Sequence, residues 1–402
     1  MFILLTILTS IFVGILLGIF TGLIPGIHVN LIAVSLLTLS PLLLEFASPL
    51  TLSLVIVGMA ITHTFLSTIP SIFLGAPDSD NVLSVLPGHK LLLEGKGYEA
   101  VALTVVGSLA SLLLCIAIIP LLMMFIDFSY PFLKEKIGFI LVVASVFLLY
   151  KEKNGHLWAL IVFLLAGVLG IIVLTGSLTS NPLFPLLSGL FGISSLLISL
   201  SSNTKIPPQV VSNPSLPTSE GIQAISISVV IGSLCSTLPG LGPAQAAIIG
   251  SQFMKKSNAK SFLVLVGGLS TVNMIASFVT LYLIDKARNG AVITISQILT
   301  SLSKTEFIVL VAASLITGGF ATILALKLTK VFSRVMCKIN YRTLCISIIS
   351  LITILVVILS GFFGLLILIV ATCLGIVPPL KNVGRNHLMG CLLLPIILFF
   401  LL

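Results

Sequence analysis

The sequence predicts an all-α, polytopic membrane protein, and three observations carry that prediction. Hydrophobic residues make up 58% of the 402 and charged residues only 8%, with a mean hydropathy of +1.29. Soluble domains carry about 25% charged residues, so this chain has too little polar surface to face water on all sides. Apolar stretches nearly free of charge recur from end to end, many of them at or beyond the ~20 residues that span a bilayer. The longest polar stretches, 78–97 and 201–220, are too short to fold alone, so 1–402 reads as a single membrane domain.

The apolar stretches run 2–44, 49–77, 100–126, 137–150, 157–200, 221–254, 261–284, 307–326, 343–380 and 386–402. MFILLTILTS has no basic leader and its apolar run continues far past signal-peptide length, so the first stretch is expected to be a retained membrane segment. The 157–200 stretch is expected to divide at Ser177–Pro182, and 343–380 around Gly361–Gly364, because each exceeds one span and carries helix breakers there. The six cysteines form no CxxC pair and lie in or beside apolar runs, which suits small buried residues better than a disulfide frame or a zinc site. Trp158 stands at a helix start, where an interfacial ring is expected.

Two stretches repeat each other. Superposing Pro25-Gly26 on Pro239-Gly240, a shift of 214, also superposes Gly18 on Gly232 and Ala33 on Ala247. VGMAITHTFLS, with Gly58, His63 and Ser67, then matches GGLSTVNMIAS, with Gly268, Asn273 and Ser277, at a shift of 210. VLGII (168–172) matches CLGIV (373–377) at 205. The chain therefore reads as repeat one (1–200), a connecting loop (201–220) and repeat two (221–402), each a Pro-Gly-broken helical hairpin followed by about five transmembrane helices.

Loop charges orient the halves. If each Pro-Gly element returns to the side it entered, one side collects 15 of the 20 basic residues, among them Lys90, Lys96, Lys260 and Arg385. The other side keeps Lys134, Lys136, Lys286, Arg288 and Lys304. If the second element crosses once instead, the division falls to 12 against eight. The positive-inside rule prefers the larger asymmetry. Five crossings then separate the two hairpins, so the repeats are inverted. The net charge of +9 becomes an orientation signal, with no nucleic-acid partner implied.

Proline removes a backbone donor and clashes with the preceding turn, and glycine costs about 1 kcal/mol in a helix interior. In hydrocarbon, a break survives only where protein buries it or where it lines a cavity. Both breaks have small or polar neighbours: Gly22, His28 and Asn30 around Pro25 and Gly26, and Gly242, Pro243 and Gln245 after Pro239 and Gly240. The helix restarting after each break offers free N–H groups and a positive dipole end. Two such ends facing across an inverted repeat suit an anion near the bilayer midplane. An ordinary helix kink is the alternative for either break alone.

The GxxxGxxxGxxPG pattern of Gly14, Gly18, Gly22, Pro25 and Gly26 resembles the N-terminal signature of the tripartite tricarboxylate transporter large permease family, the TctA type. STLPGLGPAQAA (236–247) is similar to the family's second Pro-Gly-rich motif, and IPSIFLGAPDSDNVLSVLPGHKLLLEGKGYEAVAL (69–103) to the segment after its first. The likeness covers most of the chain, which resembles the compact, archaeal-type members. It implies a permease for a small organic anion, coupled to H⁺ or Na⁺, with a small membrane subunit and an extracytoplasmic binding protein as partners.

Other polar residues inside apolar runs are secondary candidates. His63 with Ser67, and Asn273 with Ser277 in the matching places, are candidates for carboxylate binding or a coupling proton, with helix–helix hydrogen bonding as the alternative. Asp78 in GAPDSDN is a candidate cation ligand or a turn former. Arg288 is a candidate entry contact for an anion, and Arg385 and His387 are expected at the interface. No Walker GxxxxGK[ST], HExxH or GxSxG occurs, so neither an ATP-driven pump nor a catalytic centre is expected, and no resident cofactor or metal. A translocase of a lipid-linked phosphate and a scaffold subunit are the competing readings. Matched helix breaks argue against the scaffold.

Overall fold

The computed structural model describes all residues except 1, 25–28, 76–81, 134, 151, 153–154, 177, 180, 202–206, 238–240, 256–257, 288 and 337–340. Among the described residues every regular element is a helix. In the first half these are α1 (Phe2–Leu23), α2 (Val29–Thr38), α3 (Ser40–Leu43), α4 (Pro49–Leu66), α5 (Thr68–Phe73), α6 (Val85–Leu93), α7 (Gly97–Ala117), α8 (Ile119–Leu133), α9 (Ile137–Tyr150) and α10 (His156–Thr175). The chain then gives α11 (Leu183–Leu187), a π-helical turn over Ser188–Ile193, and α12 (Ser194–Ser201). The second half holds α13 (Thr218–Thr237), α14 (Pro243–Gln252), α15 (Ala259–Ile284), α16 (Gly290–Leu299), α17 (Lys304–Met336), α18 (Tyr341–Leu380) and α19 (Gly390–Leu401).

Eight of these, counting α4 and α5 as one, are long and apolar enough to cross a membrane. The chain is a multi-pass membrane protein. Helix stops fall where breakers stand. The 157–200 stretch parts between Thr175 and Leu183. Gly361, at φ 65° and ψ −160°, kinks the 40-residue α18, a backbone conformation that side chains disfavour and glycine tolerates.

The core is a pair of helices. In Pro49–Phe73 and Ala259–Ile284, 94% of the most apolar stretch is buried, against 33% in Leu4–Leu23 and Thr218–Thr237. Both start with a cap. Ser48 Oγ accepts from Thr51 N at 3.2 Å with Pro49 in the first turn, and Asn258 Oδ1 accepts from Ser261 N at 2.8 Å. The two helices meet where Thr64 Oγ1 lies 3.4 Å from Thr271 Oγ1.

Small residues let α1 lie along α4. A Cβ on Gly14 would sit 2.4 Å from the Val55 carbonyl oxygen, and one on Gly18 would sit 2.5 Å from Thr62 Cβ and 2.7 Å from the Met59 oxygen. The contacts advance together along both helices, from Gly14 on Val55 to Gly22 on Leu66, so α1 and α4 run parallel. The chain must therefore double back between residues 24 and 48. In the second half the return is recorded by hydrogen bonds. Gln223 Nε2, in the first two turns of α13, donates to Phe253 O at 3.3 Å, and its Oε1 accepts from Lys255 N at 3.3 Å, so α14 ends where α13 began.

Helix pairs also form across the halves. Glu99 and Lys260, in the first turns of α7 and α15, pair at 2.5 Å, so these two helices start on the same face. Ser108 Oγ donates to Gly267 O at 3.0 Å further along the same contact. Likewise α4–α5 runs alongside α17, with Phe65 near Gly318 and the Phe73 and Phe332 rings 5.9 Å apart.

Candidate functional site

The described helices stop on both sides of each Pro-Gly pair: α1 at Leu23 with α2 from Val29, and α13 at Thr237 with α14 from Pro243. Pro25, Gly26, His28, Pro239 and Gly240 themselves lie outside the described residues, as do Asp78 and Arg288. What the structure places is their frame.

At the first break, Gly22 and Thr21 in the last turn of α1 meet His63 and Ser67. A Cβ on Gly22 would lie 2.8 Å from Leu66 Cβ, 3.4 Å from Ser67 N and 3.5 Å from His63 Cα. The Nδ1 of His63 is 3.2 Å from Thr21 Oγ1, and the histidine is 1% exposed. That contact is the helix–helix hydrogen bond weighed above as the alternative for His63, and it stands immediately before the break. Asn30, the second residue of α2, faces α16: a Cβ on Gly290 would come within 2.5 Å of Asn30 Cγ.

The helix after the second break, α14, is set more deeply than α2. Pro243 and Ala244–Ala247 are all buried, whereas several residues of α2 are exposed. The Oε1 of Gln245 accepts from Gly242 N at 3.0 Å, capping α14. Gln245 therefore spends its acceptor on the backbone, and its amide group is what remains to donate. In α15, Ser277 Oγ donates to Asn273 O at 2.6 Å and so bonds its own helix, while the Asn273 side chain is 8% exposed. The packing repeats at the offset seen in the sequence. Gly18 lies on Met59 and Thr62, and Gly232, 214 residues on, lies on Leu269 and Val272, which are 210 residues on from those partners. Among the described residues no group of three His, Cys, Asp or Glu could hold a metal.

His387 and Arg385, expected at the interface, pack into the protein. His387 is 0% exposed; its Nε2 lies 2.8 Å from Glu152 Oε2, which also accepts from Gly384 N at 2.9 Å. This clasp holds the α9–α10 connection to the turn before α19. Arg385 reaches inward to donate to Ser195 Oγ. The signal available in the sequence was the polar insertion NVGRNH between two apolar runs, which composition alone reads as a loop. Trp158 does sit at a helix start, with Lys381 Nζ 4.3 Å above its ring.

Near Arg385, His89 of α6 is buried, with Nδ1 3.3 Å from Ile72 O. A carbonyl only accepts, so Nδ1 carries the proton. Burial holds this histidine below its ordinary value; the Ile72 carbonyl opposes that and Arg385 adds to it. The native state thus favours neutral His89, while the unfolded chain protonates near pH 6.5. The stabilisation is present above that pH and shrinks as pH falls below it. The expected result is a melting temperature in detergent that declines from pH 7.5 to 5.5, with a shallower decline for His89→Gln.

Two buried central helices among apolar outer helices, with helices that stop on either side of each Pro-Gly pair, define a polytopic all-α membrane protein. The profile of the Tripartite tricarboxylate transporter TctA family matches residues 8–390, and the chain belongs to that family. It is also 31% identical over 355 residues to the uncharacterized protein MJ1079 of Methanocaldococcus jannaschii, covering 86% of this chain and 88% of that one. No solved structure matches.

Proposed function

We propose that the chain is the permease of an ion-coupled secondary transporter for a small carboxylate, held between two Pro-Gly hairpins arranged as inverted repeats. The observation that carries this reading is the matched frame of the two breaks, Gly18 on Met59 and Thr62 and Gly232 on Leu269 and Val272. Helix direction supports the inversion. α7 starts beyond the end of α4–α5 and shares its starting face with α15, so α15 runs opposite to α4 although the two match in sequence. Residues 44–48 and 255–260 then face opposite sides of the membrane.

The carboxylate is held mainly by backbone N–H groups at the restarting ends of α2 and α14, with Asn30 and the Gln245 amide as side-chain donors. Ionised side chains are scarce in the membrane interior, so helix dipoles carry most of the attraction. H⁺ or Na⁺ supplies the coupling, and a small membrane subunit and an extracytoplasmic binding protein are the partners that the tripartite family name points to.

The test is uptake into proteoliposomes. With an imposed H⁺ or Na⁺ gradient, at least one member of a di- and tricarboxylate panel should accumulate, and Asn30→Ala with Gln245→Ala should cut initial uptake at least tenfold. Uptake of no panel member under either gradient, or uptake indifferent to the double substitution, rejects the reading. Single cysteines at 46 and 255 should label from opposite sides; labelling of both from one side rejects the inversion.

A further inference from the structure

We propose that Arg385 anchors a second carboxylate-binding station, on the basic face of the protein at the far end of α14. Two cavities, of about 310 and 470 Å³, flank this arginine and share it as a wall. Ligand pockets for small molecules run from roughly 300 to 1,000 Å³, so either side has room for a small organic acid.

The chemistry of the walls selects an oxyanion. A guanidinium has five N–H donors and no acceptor. Ser195 Oγ takes one of them, and among the described residues no carboxylate pairs with Arg385. His89 and Lys90 line the larger cavity beside it. The acidic wall residue there, Glu94, stands 3.6 Å from Lys96. A charge left in a partly buried place without a counter-charge favours an anionic ligand, and the planar fork of arginine fits a carboxylate two bonds at a time.

Position connects the station to transport. Ile248 and Ser251 of α14 line the smaller cavity. That helix restarts at Pro243 just after the second break and has 10 residues, which at 1.5 Å per residue is about 15 Å of travel. An anion following the returning limb reaches the smaller cavity, whose Arg385 wall is shared with the larger cavity lined by Lys90. The station rests on the carboxylate reading for its cargo, although the cavities and a guanidinium with no carboxylate partner among the described residues stand without it.

The experiment titrates the purified full-length protein with citrate, succinate and the short-chain lipid dihexanoyl-phosphatidylglycerol, reading binding by calorimetry and melting temperature. Citrate or succinate should bind the wild type, and Arg385→Gln should weaken that binding at least tenfold. Arg385→Lys, which keeps a point charge but not the fork, should fall between them. Should Arg385→Gln fail to fold, chemical modification of Arg385 by phenylglyoxal decides: citrate or succinate should slow it. Equal affinity in wild type and Arg385→Gln, no slowing of the modification, or binding of the phospholipid alone would each overturn the station. Arg385-dependent citrate binding in a protein that transports no carboxylate sinks the transport reading and leaves the station standing. Carboxylate uptake with Arg385-independent binding does the reverse.

Discussion

Replacing Lys260 by methionine is expected to destabilise the protein by about 1–3 kcal/mol, the cost of leaving a buried acceptor without its partner, since the glutamate of this pair is buried while the lysine is 28% exposed. The Glu99 side chain is 5% exposed, and its Oε1 receives both Lys260 Nζ at 2.5 Å and Ser215 N at 3.0 Å. Without the ammonium, a carboxylate stays behind in a place that water barely reaches. Lys260→Met with Glu99→Gln should recover most of the loss, because the double variant removes the stranded charge along with the bond. Thermal unfolding of the two single variants and the double variant in detergent measures the coupling. If the double variant is as unstable as Lys260→Met, the pair is not what holds the two helices and the connecting segment together.

The second large effect concerns close backbone approach. A Cβ on Gly107 would lie 2.0 Å from the Val264 carbonyl oxygen, and one on Gly267 would lie 2.2 Å from that of Thr104. In each case the obstacle is backbone, which cannot turn aside as a side chain can. Gly107→Val and Gly267→Val should each cost about 3 kcal/mol, at the upper end of ordinary overpacking, with a fall in melting temperature and in folded yield. Gly319→Ala is the control: nothing lies within 4 Å of its added methyl, and removing a helical glycine is worth up to about 1 kcal/mol of stabilisation. Loss of stability in Gly319→Ala comparable to Gly107→Val would mean that helix glycines matter here for a reason other than packing distance.

Much of the architecture could be read from the residues, for reasons that are local. Spans follow from runs of apolar side chains, and the stops near Thr175 and at Gly361 follow from breakers whose effect acts within one turn. Internal similarity exposed the glycine pairs as well, since Gly18 and Gly232 serve the same contact. The Glu99–Lys260 pair was not legible, because its partners are 161 residues apart and each alone looks like an ordinary loop charge. Arg385 and His387 escaped for a related reason. A polar insertion between apolar runs reads as solvated, and only the third dimension shows α12 and Glu152 waiting beside it. At the candidate site, the sequence pointed to Gln245 as a polar neighbour of the second break, but it could not say that the acceptor half of that amide is committed to Gly242.

The way α7 leans on α15 and α4–α5 on α17 has a consequence for how the molecule comes into being. α7 finds its closest neighbour, and α4–α5 a second neighbour beside α1, in segments that the ribosome has yet to make. At 5–20 residues per second, the 161 residues from Glu99 to Lys260 take on the order of ten to thirty seconds. Throughout that interval α7 sits in the bilayer with its glycine face uncovered and its acid unpaired. The nascent first half must be sheltered, by lipid, by the insertion machinery or by a companion subunit, until the second half arrives to complete it.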